Sequence, residues 1–367
     1  RNIYLLDATW RMDGNSSFGS ETRFAPFWSM GLGLNIHNYA FIKGVDWLSE
    51  LKIRGSYGVT GKANFPANTA RTLYSINSES VYPTGLGGNI TAMGNKNLKW
   101  EKTKITDIGT TINILDGFLV FTGTYYFRRT VDLIADMYIP SSSGFLSYKD
   151  NIGEITNNGY EMSLRVRALA KPNAQLYFTA NVAANKNEIK KISESLKSYN
   201  QKIEEKYQDR ANVREAKKPL LKYVEGASTT SIYAMRSLGI NPQTGDEMFR
   251  YKDGSYGTEW LASENVAIGN SEPKMNGTLS SNLFLYGVTL DVYFTYTYGG
   301  QQYNQTLQTK IENADIENNV DKRVFTDRWK KQGDIAGFKS LKQYNVPTNP
   351  TSRFVQDDNT LTLQSLS

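Results

Sequence analysis

Ten stretches of this chain place apolar residues at every second position, and the segments joining them alternate without a break between long and short. Alternation of this kind is the mark of a strand with one apolar and one polar face, because successive side chains point to opposite sides of a pleated sheet. The clearest case sets Tyr160, Met162, Leu164, Val166 and Ala168 against Glu161, Ser163, Arg165 and Arg167. Leu51, Ile53, Tyr57 and Val59 oppose Lys52, Arg54 and Ser56, and Trp28, Met30, Leu32, Leu34 and Ile36 oppose Ser29, Gly31, Gly33 and Asn35. The even positions from Val288 to Tyr298 are apolar or aromatic, opposite Thr289, Asp291, Thr295 and Thr297. Similar patterns cover 3–11, 98–115, 118–130, 175–186 and 274–285, and a tenth begins near Thr360 and runs to Ser367.

The connections run in a fixed order: 12–25 is long, 38–49 moderate with a helical turn, 61–97 long, Asp116-Gly117 tight, and 131–157 long. Then Lys171 to Ala174 is tight, 187–273 very long, Tyr286-Gly287 tight and 300–359 very long. Successive antiparallel strands put alternate connections at opposite ends, so every long loop leaves from one side. Short turns on one side and long loops on the other describe an up-and-down transmembrane β-barrel; a Greek-key sandwich does not sort its loops this way. The apolar positions Trp10, Trp28, Tyr57, Trp100, Tyr125, Phe127, Tyr160, Tyr296 and Tyr298 lie toward the long-loop ends, as an aromatic girdle at a membrane interface does, although strands 175–186 and 274–285 add nothing to it. On the other face, Arg54, Glu161, Arg165, Arg167 and Asp291 require water, since one unpaired charge in a dry core costs several kcal/mol. A lumen supplies that water. The mean hydropathy of −0.49 does not oppose this reading, because a barrel keeps its apolar residues in alternate positions. The longest apolar runs fall far short of the ~18 residues a spanning helix needs.

The net charge of +6 has no nucleic-acid signature. Its densest basic stretch, Lys186 to Lys218, also carries Glu188, Glu194, Glu204, Glu205, Asp209 and Glu215, while Ile189, Ile192, Leu196, Tyr199 and Ile203 recur at helical spacing. It reads as an amphipathic helix inside a loop. The chain has no cysteine and a single histidine, His37, so Ser-His-Asp catalysis and zinc coordination lack their parts. The reading is of a non-enzyme with no catalytic residues, no metal site and no cofactor. Asp357-Asp358, Asp246-Glu247 and Asp253-Gly254 read as turn and hairpin chemistry, and Asp315 with Glu317 matches no defined calcium loop.

Six local runs, in order, carry a family resemblance. Arg11-Met12-Asp13-Gly14-Asn15-Ser16-Ser17-Phe18-Gly19 resembles the R-x-D-G-S-S-x-F-G run of SusC/RagA-type TonB-dependent outer-membrane transporters. Leu51 to Gly61 resembles their L-K-x-R-x-S-Y-G-x-T-G strand, with Lys62 where the family has Asn. Asn97-Leu98-Lys99-Trp100-Glu101 is similar to N-L-x-W-E, and Asn151 to Glu161 to N-x-G-x-I-x-N-x-G-x-E. Gly239 to Gly245 matches a loop hairpin and Phe354 to Asp357 the approach to a late strand. The resemblance implies about ten strands from the C-terminal half of a 22-stranded barrel with a plugged lumen, so that 1–367 is one partial barrel domain. Plug, TonB box and final strand are not among its residues, and with no initiator Met before Arg1 the chain reads as an internal piece of something longer. The resemblance further implies import of oligosaccharides or oligopeptides across a Gram-negative outer membrane, a SusD-like surface lipoprotein as partner, and energy from the TonB–ExbB–ExbD system. Candidate substrate contacts in lumen and loops are Arg54, Glu161, Arg165, Arg167, Tyr177, Trp260 and Tyr293. The alternatives are a small porin or barrel enzyme closed on its own, and a soluble carbohydrate-binding β-protein.

Overall fold

A computed structural model describes residues 2–18, 22–62, 71–83, 85–138, 147–209, 218–341 and 347–367. Gly19 of the first motif, Glu215 of the basic stretch and the middles of several long connections lie outside these residues.

The ten alternating stretches form one ten-stranded sheet in simple sequence order. Its strands are β1 (Tyr4–Gly14), β2 (Phe24–Asn35), β3 (Leu48–Lys62), β4 (Glu101–Ile114), β5 (Leu119–Tyr138), β6 (Ser147–Lys171), β7 (Ala174–Ile192), β8 (Met275–Leu285), β9 (Val288–Tyr303) and β10 (Val355–Leu366). Each registered neighbour from β1 to β8 pairs antiparallel. The tight turns have the backbone their residues favour: Tyr286 and Gly287 both take positive φ, +48° and +88°, as a two-residue type I′ hairpin turn requires.

Three strands outrun their periodic cores. β5 has 20 residues, β6 25 and β7 19, where about 9–11 suffice to cross a bilayer. Much of the connection expected over 131–157 is therefore strand. Bulges hid the continuation, since the β5–β6 register shifts between Thr130 and Leu133 and again before Ile134. Gly153 takes φ +155°, where a Cβ would stand 2.0 Å from the Lys191 carbonyl. Likewise Ile189 and Ile192 belong to β7, and the helix begins only at Glu194, ending at Gln208. A bulge at Glu154/Ile155 had made a strand end look helical. The connection 61–97 contains its own hairpin, Leu73–Tyr82 with Gly85–Ala92.

Register fixes the two faces of the sheet. From Tyr4–Leu34 and Trp10–Trp28 through Ile53–Thr110, Tyr125–Tyr160 and Leu164–Ala180 to Leu283, every partner on one face of β1 to β8 is uncharged among the described residues between the aromatic rims. The rim at the long-loop ends runs from β1 to β6, with Thr106 in place of an aromatic residue on β4. Trp28 meets Tyr57 edge-on at 5.4 Å, Tyr57 and Phe127 flank Thr106, and Tyr125 faces Tyr160. It descends through the register from β2 to β6, as a level belt must when strands tilt by about 35–45°. Trp100 departs from the expected girdle. It is only 6% exposed and stacks on Phe18 at 4.6 Å beneath the β1–β2 connection.

A second rim, unread from the sequence, marks the short-turn ends. Tyr4 and Tyr39 share a 2.9 Å hydroxyl hydrogen bond, Tyr39 stacks on Phe41, and Trp47, Phe118 and Tyr286 are exposed nearby in sequence to the turns. Leu48 to Tyr57 spans nine residue steps. At ~3.4 Å each and a ~40° tilt they rise about 23 Å, close to the ~25 Å apolar band of a membrane barrel.

The chain divides into two compact units, the second comprising 198–273 and 298–359. Within it, Ser237–Ile240, Glu247–Arg250 and Tyr256–Gly257 form a three-stranded sheet, and Ser231–Ala234 pairs with Val266–Asn270. A buried ion network ties its two chain segments together. The Arg353 guanidinium donates to both Glu247 carboxylate oxygens at 2.7 Å and to Glu312 at 3.2 Å, with Glu247 5% and Glu312 2% exposed. Arg328 donates to the Glu312 and Lys339 carbonyls. Burial holds the Lys339 ammonium below its ordinary pKa, against the opposing pull of Glu312 and Glu247.

Two predictions follow from this architecture. Leu164→Arg, on the uncharged face, should destabilise the folded sheet in a bilayer by ~2–4 kcal/mol, and Ser163→Asn on the opposite face should cost little. Spin labels at the two positions would read it directly; greater access of an aqueous relaxation agent at 164 than at 163 would reverse the face assignment. Arg353→Ala strands Glu247 and Glu312 in a buried site and should destabilise the second unit by ~3–5 kcal/mol. Hydrogen exchange should accelerate across 231–270 while β4 to β7 stay protected, and unchanged exchange there would show that the network carries no stability.

Candidate functional site

The polar face of the sheet is where most of the sequence-derived candidates fall. Arg54 of β3 pairs with Gly109 of β4, and its guanidinium crosses that glycine to donate to Thr124 Oγ1 on β5 at 2.8 Å. A Cβ at residue 109 would lie 2.7 Å from Arg54 Nε, so the missing side chain is what lets the arginine lie flat. Thr124 in turn pairs with Glu161 of β6, placing Arg54 and Glu161 in one cross-strand row. A second row runs from Arg167 to Tyr177 to Asn282, which donates to Asp291 at 2.7 Å. Arg165 sits over the Tyr177 ring at 4.6 Å, a cation–π contact that orients both. Tyr293 is exposed on β9.

Trp260 stands apart from these. It belongs to the second unit, half-buried, with Nε1 donating to the Pro350 carbonyl at 3.0 Å, and serves there as a tie between segments. Trp329 does the same for Pro242 at 2.8 Å and packs on Gly245, whose φ of +77° closes the Gly239–Gly245 motif.

Sequence reasoning missed a third arrangement on the polar face. Tyr126 lies across Gly159, its hydroxyl donating to Asn185 Oδ1 at 3.1 Å, with the Arg128 guanidinium over its ring at 4.5 Å. Asn185 and Asn187 both donate to Asn157. Between β1 and β4 a shallow recess of about 330 Å³ is lined by Thr9, Arg11, Phe27, Ser29, Ser56 and Asp107 among others. The residues named have the parity of the polar face, so the alternation that identified Arg54 and Glu161 was also the signal for them, while Trp28, Tyr57 and Val59 of the opposite parity also border the recess.

Three of the motif runs that carry the family resemblance meet in space. Phe18 of the first stacks on Trp100 of the third, whose Nε1 donates to the Thr22 carbonyl at 2.8 Å. Asn151 of the fourth exchanges hydrogen bonds with Lys99, accepting from its N–H at 2.9 Å and donating to its carbonyl at 3.0 Å. Their side chains thus form a clasp between connections. His37 plays a comparable part at the other end, its Nδ1 within 3.3 Å of the Leu51 amide. Asp357 and Asp358 accept from Gln301 and Gln302, and Asp315 caps the turn at Glu317 and Asn318.

Comparison with known proteins agrees with this architecture. The TonB dependent receptor-like β-barrel family matches residues 3–210, more than half of the chain, and the chain belongs to that family. TonB-dependent receptor SusC of Bacteroides thetaiotaomicron is 35% identical over 198 residues, covering 52% of this chain and 20% of that protein. TonB-dependent receptor P39 of Formosa agariphila is 24% identical over all of this chain and 38% of its own length. Among solved structures, that of the RagAB peptide transporter shares the fold with a TM-score of 0.81 at 24% identity, over 99% of this chain and 38% of that one. The chain therefore spans between a fifth and two fifths of these relatives.

The glycines under the long side chains give a graded test. At Gly159 a Cβ would meet the Ala184 backbone carbonyl at 2.0 Å, whereas at Gly109 it meets the Arg54 side chain, which can swing aside. Gly159→Ala should cost ~1–3 kcal/mol and Gly109→Ala distinctly less. Heat-modifiable gel mobility of the folded barrel would rank them, and equal loss at both sites would contradict the crossing geometry.

Proposed function

We propose that the protein containing this chain imports large nutrients across a Gram-negative outer membrane, with this segment forming part of the barrel wall and of the substrate-receiving loops. The observation that carries the reading is the division of one sheet, within a TonB-dependent receptor family, into an uncharged face bounded by two aromatic rims and an opposite face crossed by charged hydrogen-bonded rows. The first face suits hydrocarbon and the second a wet lumen. Arg54, Glu161, Arg165, Arg167, Tyr177 and Tyr293 then line the path, where planar guanidinium, carboxylate and phenol groups suit oligosaccharide hydroxyls or oligopeptide backbones. The likeness to the RagAB peptide transporter makes a peptide cargo one of the two to be tried first. No catalytic step is assigned to the chain.

The second unit, with its own sheets and buried ion network, is the part we assign to docking a SusD-like surface lipoprotein, and the TonB–ExbB–ExbD system is the energy source. Connections beyond ~12–15 residues are uncommon unless functional, and a folded unit can present the ~800 Å² per partner that a stable contact uses. Replacing 198–273 by a tight turn in the full-length protein should leave membrane assembly intact while abolishing co-purification with the lipoprotein encoded beside it. Arg165→Ala with Tyr177→Ala should lower uptake several-fold at unchanged protein level. Unchanged co-purification and unchanged uptake would together defeat the assignment.

A further inference from the structure

Just beyond the rim at the long-loop ends, the uncharged face becomes cationic. Lys104 of β4 lies directly across from Arg129 of β5, two residues past Thr106 and Phe127, and Lys102 follows Lys104 on the same face. On β7, Lys186 pairs with Asn158, itself the partner of Phe127. Like charges placed directly across a strand pair repel, and the protein relieves this only in part. Glu154 takes Arg129 through two hydrogen bonds at 2.7 and 2.8 Å, while Glu188 is taken by Lys190 at 2.6 Å. Among the described residues neither Lys102 nor Lys104 forms an ion pair, and Lys104, Arg129 and Lys186 are exposed. The cations also follow the descent of the aromatic rim through the register, from Lys104 beside Trp28's partner Val59 on β3 to Lys186 one row lower on β7. They thus keep a near-constant height above it.

Two residue steps beyond the rim is about 5–7 Å, the depth at which lipid headgroups begin and within reach of lysine side chains that extend toward them. The long-loop end of an outer-membrane barrel faces outward, where the leaflet is built of lipopolysaccharide. We propose that Lys102, Lys104, Arg129 and Lys186 form a collar that binds the phosphate groups of lipopolysaccharide, anchoring the wall by charge as the rims anchor it by aromatic packing. Glu154 orients Arg129 within the collar and keeps it from repelling Lys104. The inference rests on the membrane assignment of the uncharged face and is independent of what the lumen carries.

The test is native mass spectrometry of the full-length protein in mild detergent, incubated with phosphorylated lipid A or with the same lipid A after enzymatic removal of its phosphates. Wild type should retain the phosphorylated form preferentially. Each basic residue near a membrane surface contributes on the order of a few-fold in binding, so Lys104→Gln/Lys186→Gln should retain roughly tenfold less. The polar-face control Lys52→Gln/Lys62→Gln should match wild type, and heat-modifiable mobility would confirm that each variant is folded. Equal retention by the collar variant and wild type would overturn the proposal. So would equal retention of phosphorylated and dephosphorylated lipid A by wild type, a comparison that needs no variant to fold. Retention of an anionic glycerophospholipid in preference to lipid A would likewise overturn it.

Discussion

Everything in the wall depends on one requirement: in hydrocarbon there is no water to bond a free N–H or C=O, and each unpaired group costs several kcal/mol. Ten strands hydrogen-bonded in sequence order meet it from one strand to the next, leaving β1 and β10 as the edges of the sheet. Because pairing is consecutive, the side-chain parity set on β1 is handed across every strand pair to β8. A one-residue slip anywhere would exchange the faces. Among the described residues, the uncharged band between the rims on one face and the charged rows on the other are therefore one fact seen from two sides.

Glycine is the means by which the polar face is ordered. Arg54 over Gly109 and Tyr126 over Gly159 each lay a long side chain flat across the adjacent strand to reach the strand beyond, at Thr124 and Asn185. The other face uses the same device where Tyr296 crosses Gly277 to donate to the Asn181 carbonyl. Such crossings bind three strands with one residue and fix rotamers that would otherwise be free in a wet lumen.

The strands were legible because their period is two and their parity rarely breaks; all ten were present in the alternation, along with the order of long and short connections. What escaped had specific causes. The upper parts of β5 and β6 were hidden by bulges at Thr130 to Ile134 and by the left-handed Asp132. Trp100 has the composition of a girdle residue but takes its partners, Phe18 and Thr22, from a loop 78 or more positions away in sequence, which no local pattern encodes. The lower rim went unread because Tyr39, Phe41, Trp47 and Tyr286 lie in turns, outside any alternating run. Of the candidate site, Arg54 with Glu161 and Arg165 with Tyr177 were brought together, and Trp260 was not, since a tryptophan in a long loop gives no sign of whether its indole binds a ligand or a carbonyl of its own chain.

The link between Arg353 and Glu247 has a mechanical meaning. Glu247 belongs to the connection between β7 and β8, and Arg353 to the one between β9 and β10. Covalently these are separate tethers, each returning to the wall on its own. With the guanidinium fork, the Trp260 and Trp329 ties and the Ser237–Ser352 bond between them, they behave as a yoke. A pull on either tether is shared by both, and so is delivered to four strands at once rather than two.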